Sequence, residues 1–351
     1  MSETEDTHEE GGGEEEMEND DQLGEEESVE EEEKIPDNPL TEEVIGESIS
    51  LLCKTGDGLA HAYVKLDVSG RELTDISLLK MFIHLRYVDV SRNNLRDLSP
   101  LNTLSHLLTL KADYLKADSN SLTSVKLEGM QFLQLASFNS NNIKSVEGIS
   151  ESNLPLLEHL SLNFNEISQT TGMDASKLPR LHTLEMRGNK LETTSGICLP
   201  NLRNLFLGAN TIKNLDGLER LKSLTTLHMR DNQLESLKGF SENLKQLQYV
   251  NFRGNNVASI KEVGHLKVLP MLRALVLAEN PIAEEDDYRL EVLIALRKIE
   301  RLDKDEYTDE ERTEAEEIHE QRKLEETNEQ EQEKEDVNES ETAQDESAPE
   351  Q

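Results

Sequence analysis

The sequence predicts an α/β solenoid, with a parallel sheet on its concave face, short convex turns, helical caps and acidic tails. Three observations carry this. A pattern of the form L-x-x-L-x-L-x-x-N-x-L recurs through the middle of the 351-residue chain. Its L-x-L core has the two-residue period of a strand, so both apolar side chains point to one face. One such unit cannot bury that face alone, whereas stacked units share a continuous core. The third observation is the partition of charge. Residues 1–47 hold 22 acidic residues and one basic one, and residues 303–351 hold 22 acidic and five basic ones. The middle is close to neutral, although the whole chain carries a net charge of −37.

The elements follow in chain order. Residues 1–40 are too acidic and too poor in apolar side chains to offset chain entropy, so they are expected to be a disordered tail. Residues 41–62 are expected to form an N-terminal helical cap. Within it, 41–53 read as an amphipathic helix with Thr41 as N-cap and Leu40, Val44, Ile45, Ile49 and Leu52 as its apolar stripe. The array itself is placed at 63–287. It opens on a degenerate unit, YVKLDVSGREL (63–73), with Arg71 in the asparagine position. The clearest copies are LRYVDVSRNNL (85–95), LEHLSLNFNEI (157–167), LHTLEMRGNKL (181–191) and LRNLFLGANTI (202–212). LTTLHMRDNQL (224–234), LQYVNFRGNNV (247–257) and LRALVLAENPI (272–282) continue the series, and LQLASFNSNNI (133–143) is a looser copy.

The recurring asparagines are Asn93, Asn120, Asn141, Asn165, Asn189, Asn210, Asn232, Asn255 and Asn280, spaced 21 to 27 residues apart. A buried amide where the chain leaves each strand can bond backbone groups of its own and the neighbouring turn, so a structural role is predicted for the column. One unit departs from the pattern: LKADY (110–114) is followed at once by LKADS (115–119). This five-residue duplication must either loop out or shift one strand, and the second copy leads into Asn120. Segments between units are short, which predicts turns or single helical turns on the convex side. Residues 288–305 are expected to cap the far end through Leu296, Ile299 and Leu302. Residues 306–351 are expected to be an acidic tail, helical and then disordered. Thr308 and Glu311 fit a capping box there. The sparse Ala315, Ile318 and Leu324 make no heptad seam, so a solvated single helix is the reading.

The function class expected is a non-catalytic protein-binding scaffold. The sequence holds no phosphate-cradling glycine loop, no H-E-x-x-H and no nucleophile elbow, so no catalytic residue, metal or cofactor is assigned. Acidic tails and the lack of a basic stripe disfavour nucleic acid. No apolar run approaches the ~20 residues that span a bilayer, no small-molecule substrate is implied, and Cys53 and Cys198 are expected to stay reduced inside the cell. The side chain between the two strand leucines points to the concave face. That column reads Asp67, Asp89, Lys116, Ser137, Ser161, Glu185, Phe206, His228, Asn251 and Val276. Two positions on lie Arg187, Gly208, Arg230 and Arg253, and Tyr249 faces the same way. Aromatics and arginine are the residue types that anchor interfaces. Phe206, His228, Tyr249, Arg187, Arg230 and Arg253 are therefore the candidate partner-binding residues, with Phe206 expected to be exposed.

The segment SLLCKTGDGLAHAYVKLDVSGRELTDI (50–76) is not repeat consensus; it is followed by HLRYVDVSRNNLRDLSPL (84–101), then ASFNSNNI (136–143), EGIS (147–150), TTLHMRDNQL (225–234), LRALVL (272–277) and ERLDKDEY (300–307). On these segments, which cover roughly 48–310, the chain resembles a family of leucine-rich-repeat proteins of the radial spoke in motile cilia. The resemblance implies a structural component of the axoneme in cilium or flagellum, radial spoke head proteins as partners, and a role in ciliary and sperm motility. The inserted LKADY is its main departure. The residues alone leave an alternative open, since acidic-tailed nuclear leucine-rich-repeat proteins bind histones or regulate a phosphatase.

Overall fold

The computed structural model describes residues 35–345, apart from 57, 114, 116–121, 123–124 and 152–153. The expectation for the N-terminal tail up to residue 34 and the placement of Asn120 and Lys116 lie outside the described residues.

A thirteen-stranded sheet runs the length of the array. Its strands are β1 (Ile49–Lys54), β2 (His61–Asp67), β3 (Tyr87–Asp89), β4 (Thr109–Lys111), β5 (Leu135–Ser137) and β6 (His159–Ser161). After β7 (Met173–Asp174) come β8 (Thr183–Glu185), β9 (Ile197–Cys198), β10 (Asn204–Phe206), β11 (Thr226–His228) and β12 (Tyr249–Asn251). β13 (Ala274–Val276), β14 (Arg301–Leu302) and β15 (Asp305–Glu306) complete the set. β7 and β9 pair with each other as a separate parallel ribbon. The interior of the main sheet is parallel throughout, in strict register: Leu160, Leu184, Leu205, Leu227, Val250 and Leu275 oppose one another in turn. These side chains are buried in one core that extends from Leu40 to Ala315. Each buried leucine contributes roughly 1.5–3 kcal/mol.

The asparagine column does what its position predicts. Asn232 Oδ1 accepts from Ile212 N at 3.0 Å, while its Nδ2 donates to Leu207 O and Met229 O at 3.0 Å. Asn93, Asn141, Asn165, Asn189, Asn210, Asn255 and Asn280 are buried in the same way. The residue before each of them has a positive φ, as at Arg92 (58°), Ser140 (55°), Phe164 (55°), Gly188 (63°), Ala209 (52°), Asp231 (57°), Gly254 (65°) and Glu279 (60°). This left-handed step turns the N–H of that residue into the next repeat. Ala209 N donates to Arg230 O at 2.9 Å, and Asp231 N to Arg253 O at 2.8 Å.

The sheet register holds across the first copy of the duplicated segment, while most of the second copy lies outside the described residues. The strand is built from the first copy, where Leu110 lies between Val88 and Ala136. Leu115 is buried and its N–H donates to Asn141 Oδ1 at 3.0 Å, the bond made elsewhere by the apolar residue two places after each asparagine. Lys111 fills the concave column on this rung, between Asp89 and Ser137.

Both ends differ from the expected helices. α1 (Glu42–Ser48) begins at Thr41, whose Oγ1 accepts from Val44 N at 3.3 Å, but it stops before Ile49. Residues 49–54 instead form β1, antiparallel to β2. An edge strand has a row of open backbone groups, and pairing β2 satisfies more of them than a longer helix would. Leu52, assigned to the apolar stripe, is 55% exposed. Short helices occupy the convex side, among them α2 (Glu147–Glu151), α3 (Ile260–Val263) and single 3-10 turns such as Ser99–Thr103.

At the far end α4 (Tyr288–Ala295) buries Val292 and Leu293, and Leu302 joins the sheet. α5 (Asp309–Asp345) is not a free solvated helix. Its opening turns pack on α4, burying Ala315 and resting Ile318 against the core. Arg289 holds the joint: its guanidinium pairs with Glu311 and sits 4.1 Å from the Tyr307 ring centroid, and Tyr307 Oη donates to Arg289 O at 2.8 Å. The capping box forms, with Thr308 N donating to Glu311 Oε2 at 2.7 Å and Glu311 N to Thr308 Oγ1 at 3.2 Å.

Candidate functional site on the concave face

The concave face divides into three stretches. At the N-terminal end, Leu51, Lys65, Asp67, Tyr87, Asp89, Thr109 and Lys111 line an open cavity of about 400 Å³. Leu51 of β1 forms its end wall. Ser69 bonds to Asp67 and, with Lys65 and Lys111 close by, holds that carboxyl below its ordinary range, with burial opposing.

The middle stretch is a closed polar zipper that sequence reasoning missed. Ser137 Oγ donates to Asp113 Oδ1 at 2.7 Å, and Ser161 Oγ to Asn139 Oδ1 at 2.8 Å. Asn163 Nδ2 reaches Glu185 Oε2 at 2.7 Å. The same side chains accept backbone N–H groups of the following repeat: Asp113 from Asn139, Asn139 from Asn163, and Asn163 from Arg187. Glu185 is held at about 2, chiefly by its bond to His159, then by Asn163 and the nearby charges of His159 and Arg187, against a desolvation cost. With its donors and acceptors used internally, this stretch offers a partner few unpaired groups. The signal was present in the sequence as a small polar residue at the same offset in successive units.

The C-terminal stretch brings the six candidate residues together. β10, β11 and β12 are adjacent, so Phe206, His228 and Tyr249 form a ladder across the sheet. Phe206 and His228 are stacked with centroids 4.8 Å apart, and His228 lies 4.9 Å from Tyr249 at a 42° tilt. The Arg187 guanidinium lies 4.7 Å above the Phe206 centroid. Phe206 is consequently half-buried, not exposed as expected, because its neighbours on both sides lie against its ring. Arg230 runs across Gly208, where an added Cβ would come within 3.1 Å of the arginine stem. Its Nε sits 3.4 Å from Asp231, and Arg253 pairs with Glu279. Arg187 makes no ion pair within 4.0 Å among the described residues, so its charge is directed at the face.

His228 is depressed from 6.5 to about 4, first by desolvation and then by Arg187 and Arg230. It is neutral at physiological pH and able to donate and accept one hydrogen bond each. The arrangement is a rigid, amphipathic aromatic surface edged by guanidinium groups, suited to anchoring another protein's side chains. Among the described residues no group of three His, Cys, Asp or Glu is placed to hold a metal ion, and no helix is long and apolar enough to cross a membrane.

Leucine-rich-repeat family models match residues 133–191 and 183–330. The chain is 51% identical over 271 residues to leucine-rich repeat-containing protein 23 of Bos taurus, covering 77% of each chain. It is 54% identical over 291 residues to the protein of the same name in Xenopus tropicalis, covering 78% of this chain and 76% of that one. Among solved structures, an internalin from Listeria monocytogenes superposes with a TM-score of 0.50 at 26% identity, covering 66% of this chain and 64% of that one.

Proposed function

This chain belongs to the leucine-rich repeat-containing protein 23 family, and from that premise we propose that it is a structural component of the axonemal radial spoke that binds spoke head proteins. A protein-binding leucine-rich-repeat scaffold is the role the family and fold support. The finer reading places the chain in the axoneme of cilium or flagellum, supporting ciliary and sperm motility. The observation that carries the binding site is the Phe206–His228–Tyr249 ladder beneath Arg187. It lies outside the leucine core, and a solenoid presents its concave face to partners. Binding there needs no catalytic step.

The test is fractionation of detergent-washed axonemes, followed by cross-linking to spoke head proteins. Retention in the axoneme and cross-links from the concave face are expected. A nuclear signal with none in axonemes would overturn the reading. Phe206→Ala combined with Arg230→Glu is expected to abolish partner capture with the fold intact, and normal capture by that variant would remove the concave face from the account.

A further inference from the structure

The turn that leads into each strand forms a lateral edge of the array, away from the concave face. Over four successive units this edge is apolar. Ile83 is 53% exposed and Phe132 46% exposed. His106 stacks on Phe132 with centroids 5.7 Å apart, and Leu156 is half-buried on the next rung. A cavity of about 250 Å³ opens beside them, lined in part by Lys54, Val64, Ile83, His84, Arg86 and His106. Among the described residues nothing but the His106 ring covers this row of exposed ring and branched aliphatics, and such patches mark interaction surfaces.

The charge of this edge runs against that of the chain. Residues 81–86, 103–108 and 130–134 contain no Asp or Glu, and the fourth unit adds one acid, Glu158, beyond Leu156. Lys54 and Arg86 border the edge and neither pairs with a carboxylate among the described residues. The spacing also selects a shape. Rungs of the sheet are about 4.8 Å apart, and one turn of an α-helix rises about 5.4 Å. A helix lying along the edge would present one apolar side chain to each rung.

We infer that this edge is a second docking surface, separate from the aromatic ladder, and that its occupant is an amphipathic helix of a partner protein with an apolar stripe flanked by carboxylates. Ile83, Phe132 and Leu156 take the stripe, and Lys54 and Arg86 meet the acidic flank. The scaffold then holds two partners, or two segments of one partner, on different faces.

The test uses fluorescein-labelled stapled helices of roughly 14 residues, four turns long, each with a leucine and isoleucine stripe and either Glu or Lys on its flanks. Anisotropy titration against the full chain is expected to show binding of the Glu set and weak or no binding of the Lys set. Ile83→Asp with Phe132→Asp is expected to weaken the Glu set by about tenfold or more. Arg86→Glu is expected to narrow the difference between the sets. Phe206→Ala with Arg230→Glu should leave these affinities unchanged, which separates this surface from the concave one. Equal binding of both sets, or undiminished binding by the Ile83 and Phe132 variant, would overturn the inference. A dimer in sedimentation that the same variant splits would overturn it too, by assigning the edge to a second copy of the chain.

Discussion

Asn232 joins four backbone groups from two repeats with one amide. Removing the amide leaves the Ile212 N–H buried without a partner and takes one donor each from Leu207 O and Met229 O, which keep the Asn210 and Asn255 amides. Asn232→Ala is therefore expected to cost about 1–3 kcal/mol, read as a lower midpoint in chemical unfolding. Its place in the column was legible from spacing alone, because no other residue recurs where the chain leaves a strand. The left-handed residue before it was not legible, because only Gly188 and Gly254 of that set are glycines. The inter-repeat hydrogen bond holds Arg92, Phe164 and Ala209 in a conformation their side chains disfavour.

His228 makes a pH prediction at the same scale. Unfolded, it takes up a proton near 6.5; folded, near 4. Between those values the unfolded chain binds more protons, so folded stability falls as pH drops through that window and is unaffected above it. Unfolding midpoints measured across this range should decline more for the native chain than for His228→Gln. Parallel profiles would show that the ring is not desolvated as described. The aromatic ladder was legible as three residues facing one way. That Phe206 would be half-buried was not, because the cover comes from Arg187 and His228, two other repeats.

At the scale of elements, the ends carry the lesson. The apolar stripe at 41–53 suits a helix, and the helix starts where Thr41 says it should, yet the sheet takes 49–54 for itself. Local periodicity does not register that β2 needs an edge partner. The opposite error occurs at the C-terminus. Few apolar residues in 308–335 argue against packing, but Ala315 and Ile318 suffice because arginines complete the contact. Arg289 pairs with Glu311, Arg297 with Glu316, and Arg322 with Glu291. α5 is thus part of the terminal cap for its first turns. A chain ending after Glu325 is expected to melt like the full chain. One ending after Lys304 should melt lower, since it uncovers the end of the core and leaves Arg289 without Glu311. Equal melting of the two truncations would mean that α5 adds nothing to the cap.

At the scale of the whole molecule, the net charge and the folded array are separate matters. The −37 is concentrated in the terminal segments, while residues 48–302 hold 29 acidic and 30 basic residues. A contact made through the ladder of aromatics depends on stacking and burial more than on long-range attraction. Partner capture is therefore expected to persist when residues 1–34 are removed and when ionic strength is raised to where screening shortens to a few ångströms, about 3 Å at 1 M. Capture lost on removal of residues 1–34 would assign recognition to that acidic segment instead, and capture lost only at high salt would assign it to ion pairs, those of the concave arginines included.

The sheet's first strand carries a further consequence. β1 is a border strand, and Leu51 within it has a φ of 61°. That residue breaks the even row of donors and acceptors on the outer side of the strand, and the antiparallel pairing at each end departs from the parallel pattern inside. A stack of identical rungs left open would template its own continuation, chain upon chain, into fibres. The bent border opposes that growth by denying an incoming strand an even row of partners.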